Sequence, residues 1–401
     1  MIETASPATS IAFNNLQNAF ATKSDRDLRK AYWLFKAMGS NLLVRNGPVL
    51  LDIALKLHIP VLPVIRATLF KHFCGGENIA ECNNTIAALH RAGIGSVLDY
   101  SIEGEEKESV FDSTTKELLA TIDRAKGDPA VPFCVFKVTG IARFTCLEKI
   151  SSGNAVAESD NREFEKIRQR VLTICEHAAT ARVRIFIDAE ESWIQPAIDA
   201  LADEMMKRFN KEGQAVVFNT IQLYRSDRLA FLKESHQKAV QEGYKLGLKL
   251  VRGAYMEKER ERALKNNYPS PIQPNWNATN IDYDAALKYC VEHISEIEIC
   301  AGTHNEASCK LLVSLMSDAR LAANDYRIWF SQLLGMSDHI SYNLAAAGFN
   351  VAKYVPYGPV KSVLPYLIRR AMENTSIAGQ TGRELKMIHD EKIRRRSQKK
   401  G

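Results

Sequence analysis

Short runs of β-forming residues recur eight times in this 401-residue chain, and most are separated by stretches with helical periodicity. The runs are 95–100, 132–138, 182–188, 215–219, 249–251, 298–301, 326–330 and 351–356, and helical stretches include 162–180, 194–211, 226–242, 284–292 and 307–322. Neighbouring parallel strands need a crossover connection, which is usually a helix. The alternation therefore predicts an α/β fold, a (β/α)8 TIM-type barrel. An open flavodoxin-like or Rossmann sheet is the alternative, but no G-x-G-x-x-G follows any run.

The N-terminal part of the chain does not follow this alternation. Helical patterns at 24–35, 48–57, 60–73 and 79–92 predict an N-terminal helical arm. We therefore expect three parts: a helical region 1–92, a barrel 93–376 and a basic C-terminal tail 377–401. Residues 392–401 of the tail carry six lysines and arginines and no acid, which accounts for the whole formal net charge of +6. The neutral body argues against nucleic-acid binding, and we expect a solvated end rather than one bound to anionic lipid.

The cysteines and the hydropathy of the chain indicate the cellular compartment in which we expect the protein. The eight cysteines include no C-x-x-C pair, and several lie in apolar runs, which is typical of reduced thiols in a reducing compartment. The first residues lack a basic segment followed by an apolar one, so we expect no secretory signal. No apolar run approaches the ~20 residues that span a bilayer. The apolar stretch 42–70 is interrupted by four charges and predicts a buried helix, with a membrane-facing surface as the alternative.

Polar side chains lie at or just after the ends of seven of the eight runs. The residues found there include Lys137, Asp188, Gln222, Lys249, Arg252, Tyr255, Thr303, His304 and Tyr354, together with Gly253 and Ala254, which leave the backbone bare for close approach. Each has a structural explanation by itself, such as an ion pair, a helix cap or a turn. The carboxyl ends of barrel strands form one rim, which is where TIM-barrel enzymes place their chemistry. A purely structural rim needs no such set, so the sequence predicts a functional site there.

The stretch 354–376 indicates which class of ligand the site binds. A strand that ends at Pro356 leads into a helix on which Tyr366, Arg369, Arg370 and Glu373 occupy positions i, i+3, i+4 and i+7, and therefore share one face. Two guanidinium groups oriented by an acid form a fork for a carboxylate, and the aromatic ring covers an apolar body. The alternative is a solvated face of salt bridges. The pattern favours a small amino or keto acid as ligand.

The absence of certain motifs limits the types of catalysis that the chain can perform. The nine histidines include no H-x-H or H-E-x-x-H, which argues against metal catalysis, and no G-x-S-x-G nucleophile elbow is present. The amide, hydroxyl and cationic groups of the rim suit a large polar cofactor with ring nitrogens, carbonyls and phosphates.

Three motifs occur in an order typical of one enzyme family: LVRGAY at 250–255, AGTHN at 301–305 and YLIRRAMEN at 366–374. Through them the chain resembles the proline dehydrogenases, in particular the single-function mitochondrial-type branch, from residue 72 to about residue 376. The resemblance implies FAD-dependent oxidation of L-proline to 1-pyrroline-5-carboxylate, by hydride transfer from C5 to flavin N5, with electrons passed to a quinone. It also implies a cytoplasmic protein, or one in peripheral contact with the inner face of a respiratory membrane.

The resemblance also implies roles for individual residues. Asp188 and Lys249 are implied as catalytic residues, and the substrate is held by Lys137, Leu334, Tyr354, Tyr366, Arg369, Arg370 and Glu373. Flavin contacts are implied for Gln222, Lys249, Arg252, Gly253, Ala254, Tyr255, Thr303 and His304. Lys249 departs from the bacterial pattern, which has an arginine there, so the charge is kept but the planar fork is lost.

Three other functions remain open at this point. A hydroxyproline dehydrogenase would use the same site, although Tyr354 is implied to pack where an additional ring hydroxyl would lie. A Schiff-base lyase or aldolase would use Lys137 as its nucleophile. A non-catalytic barrel would bind proline or flavin without reduction.

Overall fold

Parallel strands and helices form a closed barrel. The computed structural model describes residues 11–40, 47, 51, 56–102, 106–376 and 380–399. Within these ranges eight strands close in chain order: β1 Ile94–Tyr100, β2 Phe133–Lys137, β3 Arg184–Asp188, β4 Val217–Gln222, β5 Leu246–Val251, β6 Ile297–Gly302, β7 Ile328–Leu333 and β8 Val351–Tyr357. Every predicted run overlaps one of them. The predicted barrel is confirmed, and the open-sheet alternative is excluded because β1 pairs with β8.

Helices precede, surround and follow the barrel. Before β1 lie α1 Leu16–Ala19, α2 Asp25–Met38, α3 Leu62–Ile65, α4 Lys71–Phe73 and α5 Ile79–His90, with a π-helical turn Arg66–Phe70 between α3 and α4. The others are α6 Glu108–Ala125, α7 Phe144–Ser151, α8 Glu158–Ala181, α9 Gln195–Phe209, α10 Arg228–Glu242, α11 Met256–Lys265, α12 Trp276–Glu292, α13 Glu306–Asp318, α14 Asp338–Ala346, α15 Val360–Ser376 and α16 Gln380–Gln398. Most of the predicted helix 48–57 lies outside the described residues.

Aromatic side chains fill the amino-terminal half of the barrel. The rings of Phe133 and Phe186 stack with centroids 4.5 Å apart, and Phe218 packs edge-on against both. Side chains alternate between the two faces of a strand, so the next inward positions on β2 and β3 are Val135 and Asp188. Because rings occupy the amino-terminal half, a ligand of the barrel must enter from the carboxyl ends of the strands.

A buried ion pair attaches the N-terminal arm to the barrel. Lys353 on β8 is fully buried, and its Nζ lies 2.8 Å from Asp338 Oδ1 at the start of α14. Lys23, between α1 and α2, lies 3.6 Å from the same carboxylate. Burial alone would raise the pKa of Asp338, but the ammonium groups of Lys353 and Lys23 lower it below its usual range. The ionised carboxylate therefore joins the arm to the loop after β7.

The C-terminal segment is a packed helix. Ile388 of α16 is buried, and Glu391 on the same helix is fully buried while accepting hydrogen bonds from Arg394 and Arg395. Arg395 also donates to the backbone oxygen of Phe20 at 2.9 Å. Arg394 and Arg395 thus pair with a buried acid of their own helix, and Arg395 also ties that helix to the N-terminal arm, so the expectation of a solvated end does not hold for these two residues. Residues 396–399 are exposed, as expected.

The thiols match the prediction of reduced core cysteines. All eight cysteines are buried and free. Burial raises the pKa of Cys146 to about 11, which keeps its thiol protonated and unreactive. In the part of the chain that the structure describes, no helix combines the length and apolarity needed to cross a bilayer.

Asp338→Asn should destabilise the protein, because it leaves the Lys353 ammonium buried without its carboxylate. We expect the free energy of unfolding in urea to fall by about 3 kcal/mol or more. Glu158→Gln is the control, since its ion pair with Arg162 is exposed on both sides and should contribute less than about 1 kcal/mol. Equal losses in the two variants would contradict the role given to the buried pair.

Candidate functional site

Asp188, the last residue of β3, is the centre of the site. Its side chain is buried, and Lys249 Nζ and Thr220 Oγ1 both donate to Oδ1, the latter at 3.3 Å. Lys137 Nζ lies 4.0 Å from Oδ2. Strand register explains this grouping, because Lys137 pairs with Asp188 and Thr220 pairs with Lys249 at the same level of the barrel. One carboxylate therefore lies between two ammonium groups.

Tyr354 completes the floor of the site. Its hydroxyl accepts a hydrogen bond from Lys249 Nζ at 2.6 Å and donates to Asp188 Oδ1 at 3.4 Å. Its ring lies nearly parallel to that of Phe186, with centroids 6.2 Å apart, and Lys249 Nζ is 4.4 Å from the ring centroid. Burial raises the pKa of Tyr354 well above its usual value, so the hydroxyl stays a donor. The aromatic floor is thus held in one orientation.

Arg252, which follows β5, is anchored by three side chains. Nε donates to Asn280 Oδ1 at 2.8 Å, Nη1 to Thr303 Oγ1 at 2.6 Å, and Nη2 to Ser308 Oγ at 2.9 Å. Its guanidinium lies 4.3 Å from the ring centroid of Tyr283. A guanidinium has five N–H donors, so these bonds leave two for a ligand. Sequence reasoning missed Asn280 and Ser308, which lie on α12 and α13 and carry no motif.

The backbone after Arg252 is open on one side. Gly253 has a φ of +136°, and a Cβ there would lie 2.4 Å from Tyr224 Cδ1. Both the conformation and the contact require glycine. Gly253 and Ala254 are exposed, whereas Tyr255 is buried. A ligand can therefore approach this backbone closely.

An oriented amide is available at the end of β4. Gln222 is buried, and its Nε2 donates to the backbone oxygen of Glu190 at 2.7 Å. This bond fixes the amide and leaves its oxygen and its second N–H for other partners.

A neutral imidazole is available after β6. His304 Nδ1 lies 3.0 Å from Ser337 Oγ. Burial and the nearby charges of Lys353 and Arg370 lower the pKa of His304 to about 3, so the ring is neutral at physiological pH. Ser337 precedes α14 and was not predicted. The sequence Gly335-Met336-Ser337 matches no motif, so nothing in it indicates a contact with His304.

The arginine helix is α15. Arg370 is buried, its guanidinium lies 5.1 Å from the ring centroid of Tyr366, and its charge acts on His304. Arg369 is half-buried. Neither side chain is simply solvated, as the salt-bridge alternative required. The Glu373 side chain lies outside the described residues.

The structure joins some of the predicted residues into two groups, while the contacts of Gln222 with Glu190 and of Arg370 with Tyr366 lie outside both. The first, at the ends of β2, β3, β5 and β8, consists of Lys137, Asp188, Lys249 and Tyr354, with Leu334 attached through its N–H to the Tyr354 carbonyl at 2.9 Å. The second, at the ends of β5 and β6, connects Arg252 directly to Thr303. The first group suits a small zwitterion, and the second suits a polar or anionic ligand.

Comparison with known proteins agrees with this arrangement. The family model "Proline dehydrogenase" matches residues 82–383. The carbapenem antibiotics biosynthesis protein CarD of Pectobacterium carotovorum subsp. carotovorum is 36% identical over 323 residues, covering 80% of this chain and 83% of that protein. Proline dehydrogenase 2, mitochondrial, of Arabidopsis thaliana is 30% identical, covering 84% and 79%. Human proline dehydrogenase 1, mitochondrial, is 40% identical, but this chain spans only 40% of its length.

Solved structures of proline utilization A proteins share the fold. The protein from Bdellovibrio bacteriovorus, inactivated by N-propargylglycine, aligns with a TM-score of 0.71 at 17% identity, over 90% of this chain and 38% of that one. A variant from Bradyrhizobium japonicum aligns with a TM-score of 0.64 at 21% identity, over 78% and 31%. The family model covers more than half of the chain, and the chain belongs to the proline dehydrogenase family.

Proposed function

We propose that this chain catalyses the FAD-dependent oxidation of L-proline to 1-pyrroline-5-carboxylate and passes the electrons to a quinone. The observation that carries the proposal is the buried group formed by Asp188, Lys137 and Lys249 at the mouth of the barrel. Family membership supports proline as the substrate and a flavin as the cofactor.

The second group, together with Gln222 and with Lys249 of the first group, fits a flavin dinucleotide. A flavin ring presents nitrogens and carbonyls along one edge, and FAD adds two phosphates. The amide of Gln222 and the ammonium of Lys249 would hold the ring. Arg252 with the open backbone at Gly253 would hold the phosphates, and Ala254, Tyr255, Thr303 and His304 would contribute further contacts. The flavin supplies the oxidant that accepts a hydride from C5 of proline.

Arg369 and Arg370 would bind the substrate carboxylate, with Glu373 as their proposed partner. Charge-assisted bidentate hydrogen bonds from a guanidinium fix a carboxylate in position and orientation. Arg370 is buried beside the Tyr366 ring, so little of its conformational freedom remains to be lost on binding. The tyrosines Tyr354 and Tyr366 and the side chain of Leu334 would enclose the ring.

The charge balance of the site favours the reactive form of proline. Loss of hydride from C5 needs the lone pair of the ring nitrogen, which the ammonium form lacks. Among the described side chains, Lys137, Lys249, Arg369 and Arg370 carry four positive charges, and Asp188 and Asp99, which both act on Tyr354, carry two negative charges. The substrate carboxylate still leaves an excess of positive charge. Nearby cations disfavour a further ammonium, so the site promotes loss of the proton from the ring nitrogen.

Two alternatives are less well supported by the geometry. A Schiff-base lyase needs an unprotonated Lys137, but the carboxylate of Asp188 lies 4.0 Å away and stabilises the ammonium. A hydroxyproline enzyme needs space beside Tyr354, whose ring and hydroxyl are both held by neighbours. Both considerations favour proline oxidation.

We propose a quinone as electron acceptor and peripheral contact with the inner face of a respiratory membrane. The mitochondrial relatives support this assignment. One relative is named for carbapenem biosynthesis, so family membership defines the type of oxidation more closely than the pathway. We propose the catabolic role, the first step from proline towards glutamate.

The purified protein should show a flavin absorption spectrum that L-proline bleaches under anaerobic conditions. We expect trans-4-hydroxy-L-proline to bleach it far more slowly. A colourless protein that forms a borohydride-trapped adduct with a keto acid at Lys137 would instead establish the lyase alternative. Preferential turnover of hydroxyproline would contradict the assigned substrate.

Arg370→Met should raise the KM for proline about 100-fold, because one charge-assisted contact to the carboxylate is lost. Bound flavin, read from the visible spectrum, should be retained. Arg162→Met is the control, since its side chain is 67% exposed. An unchanged KM in the Arg370 variant would remove that residue from carboxylate binding.

Gly253→Ala should lower flavin content, because the added Cβ collides with Tyr224 and shifts the backbone. Gly213→Ala is the matched control: its φ of +69° is also positive, but nothing lies within 4 Å of the added Cβ. Flavin per chain can be measured after denaturation. Equal flavin loss in both variants would show that the effect is general destabilisation.

A further inference from the structure

One buried acid beside the site has no role in the proposed mechanism. Glu190 follows Asp188 by two residues and is 3% exposed. Its Oε1 accepts the backbone N–H of Thr139 at 3.0 Å, and its Oε2 is hydrogen-bonded to Thr139 Oγ1. Both carboxyl oxygens are thus hydrogen-bonded to Thr139, which lies just after the end of β2.

Glu190 is itself held in place through its backbone. Its N–H donates to Gln195 Oε1 at 2.8 Å, and its carbonyl accepts from Gln222 Nε2 at 2.7 Å. Gln195 in turn donates to Asp199 Oδ1 at 2.9 Å, and Asp199 pairs with Arg228 at 2.9 Å. The carboxyl group therefore extends from a rigid backbone that is tied to α9 and α10.

Thr139 is placed to transmit this rigidity to Lys137. It lies in the 3-10 turn Val138–Gly140, which follows Lys137 directly. The paired register of β2 and β3 ends at Lys137 and Asp188. The hydrogen bonds between Glu190 and Thr139 are thus the next connection between the two strand ends beyond that pair.

We propose that Glu190 is a positioning residue of the substrate site: it holds the end of β2 through Thr139 and thereby sets the place of the Lys137 ammonium relative to Asp188. The inference rests on the proposed function, in which Lys137 is one of the residues that hold the substrate.

The protonation state of the Glu190 carboxyl group indicates which substituted side chain can keep its hydrogen bonds to Thr139. Burial raises the pKa of Glu190 to about 8, against the opposing effect of the Thr139 hydrogen bonds. The charged groups that act on it are Glu191, which raises the pKa, and Lys137, which lowers it. At neutral pH the carboxyl group is protonated in most molecules, so it offers one donor and one acceptor. Glutamine offers the same pair in the same shape.

The test compares Glu190→Ala, Glu190→Gln, Lys137→Ala and the Lys137→Ala/Glu190→Ala double variant, all as the flavin-loaded full chain. Binding of cyclopentanecarboxylate, which has the ring and carboxylate of proline but no nitrogen to oxidise, is measured by calorimetry, together with kcat and KM for proline. We expect Glu190→Ala and Lys137→Ala each to weaken analogue binding about tenfold. The double variant should be no weaker than Lys137→Ala, because both changes act through one side chain. Glu190→Gln should bind within about twofold of the wild type.

Glu298→Ala is the matched control, because Glu298 is also buried and accepts a backbone N–H, from Ala215, but at the amino-terminal end of the barrel. It should lower stability without changing analogue affinity. Additive losses in the double variant, or no rescue by Glu190→Gln, would overturn the inference. If Lys137→Ala weakens analogue binding but Glu190→Ala does not, the positioning role of Glu190 is wrong, while the proposed role of Lys137 stands. Normal binding in Lys137→Ala overturns the proposed role of Lys137 as well.

Discussion

The pairing of one buried carboxylate with two lysines is the interaction on which the site depends. Asp188 neutralises part of the charge of Lys137 and Lys249, and without it two ammonium groups would be buried together. The same carboxylate orients Tyr354 and Thr220. A closed barrel makes this arrangement possible, because it brings the ends of distant strands to one level around a common axis.

Support for the site comes from both ends of the described chain. The first residue of α14, Asp338, binds Lys23 of the N-terminal arm, and the N–H of Ser337 just before that helix donates to Glu384 of α16 at 3.0 Å. Ser337 also contacts His304. Lys23 and Glu384 both lie outside the family match of 82–383. The barrel strands thus lie within the family match, while residues beyond the match stabilise one edge of the mouth of the barrel.

Much of the fold could be predicted from local pattern. The eight β-rich runs indicate strands, and the i, i+3, i+4 spacing of Tyr366, Arg369 and Arg370 indicates one face of a helix. Element ends were less certain. β5 begins at Leu246 rather than at Lys249, because glycine at 247 weakens the strand signal. Helices α6, α7, α11 and α14 are not among the helical stretches named from the sequence; seven of the ten residues of α11 are charged, and α14 is only nine residues long, so neither of these two has a clear apolar period.

The sequence by itself determined the order of strands and helices and the types of polar residue at their ends, because these follow from side-chain periodicity and charge. It did not determine which of those residues touch. Lys249 and Asp188 are 61 positions apart, and Arg252 depends on Asn280 and Ser308 from two separate helices. Such contacts follow from barrel closure and strand register, which are properties of the whole chain. Only the tertiary structure decided that an acid beside the site, Glu190, is hydrogen-bonded to Thr139 in the turn after the neighbouring strand.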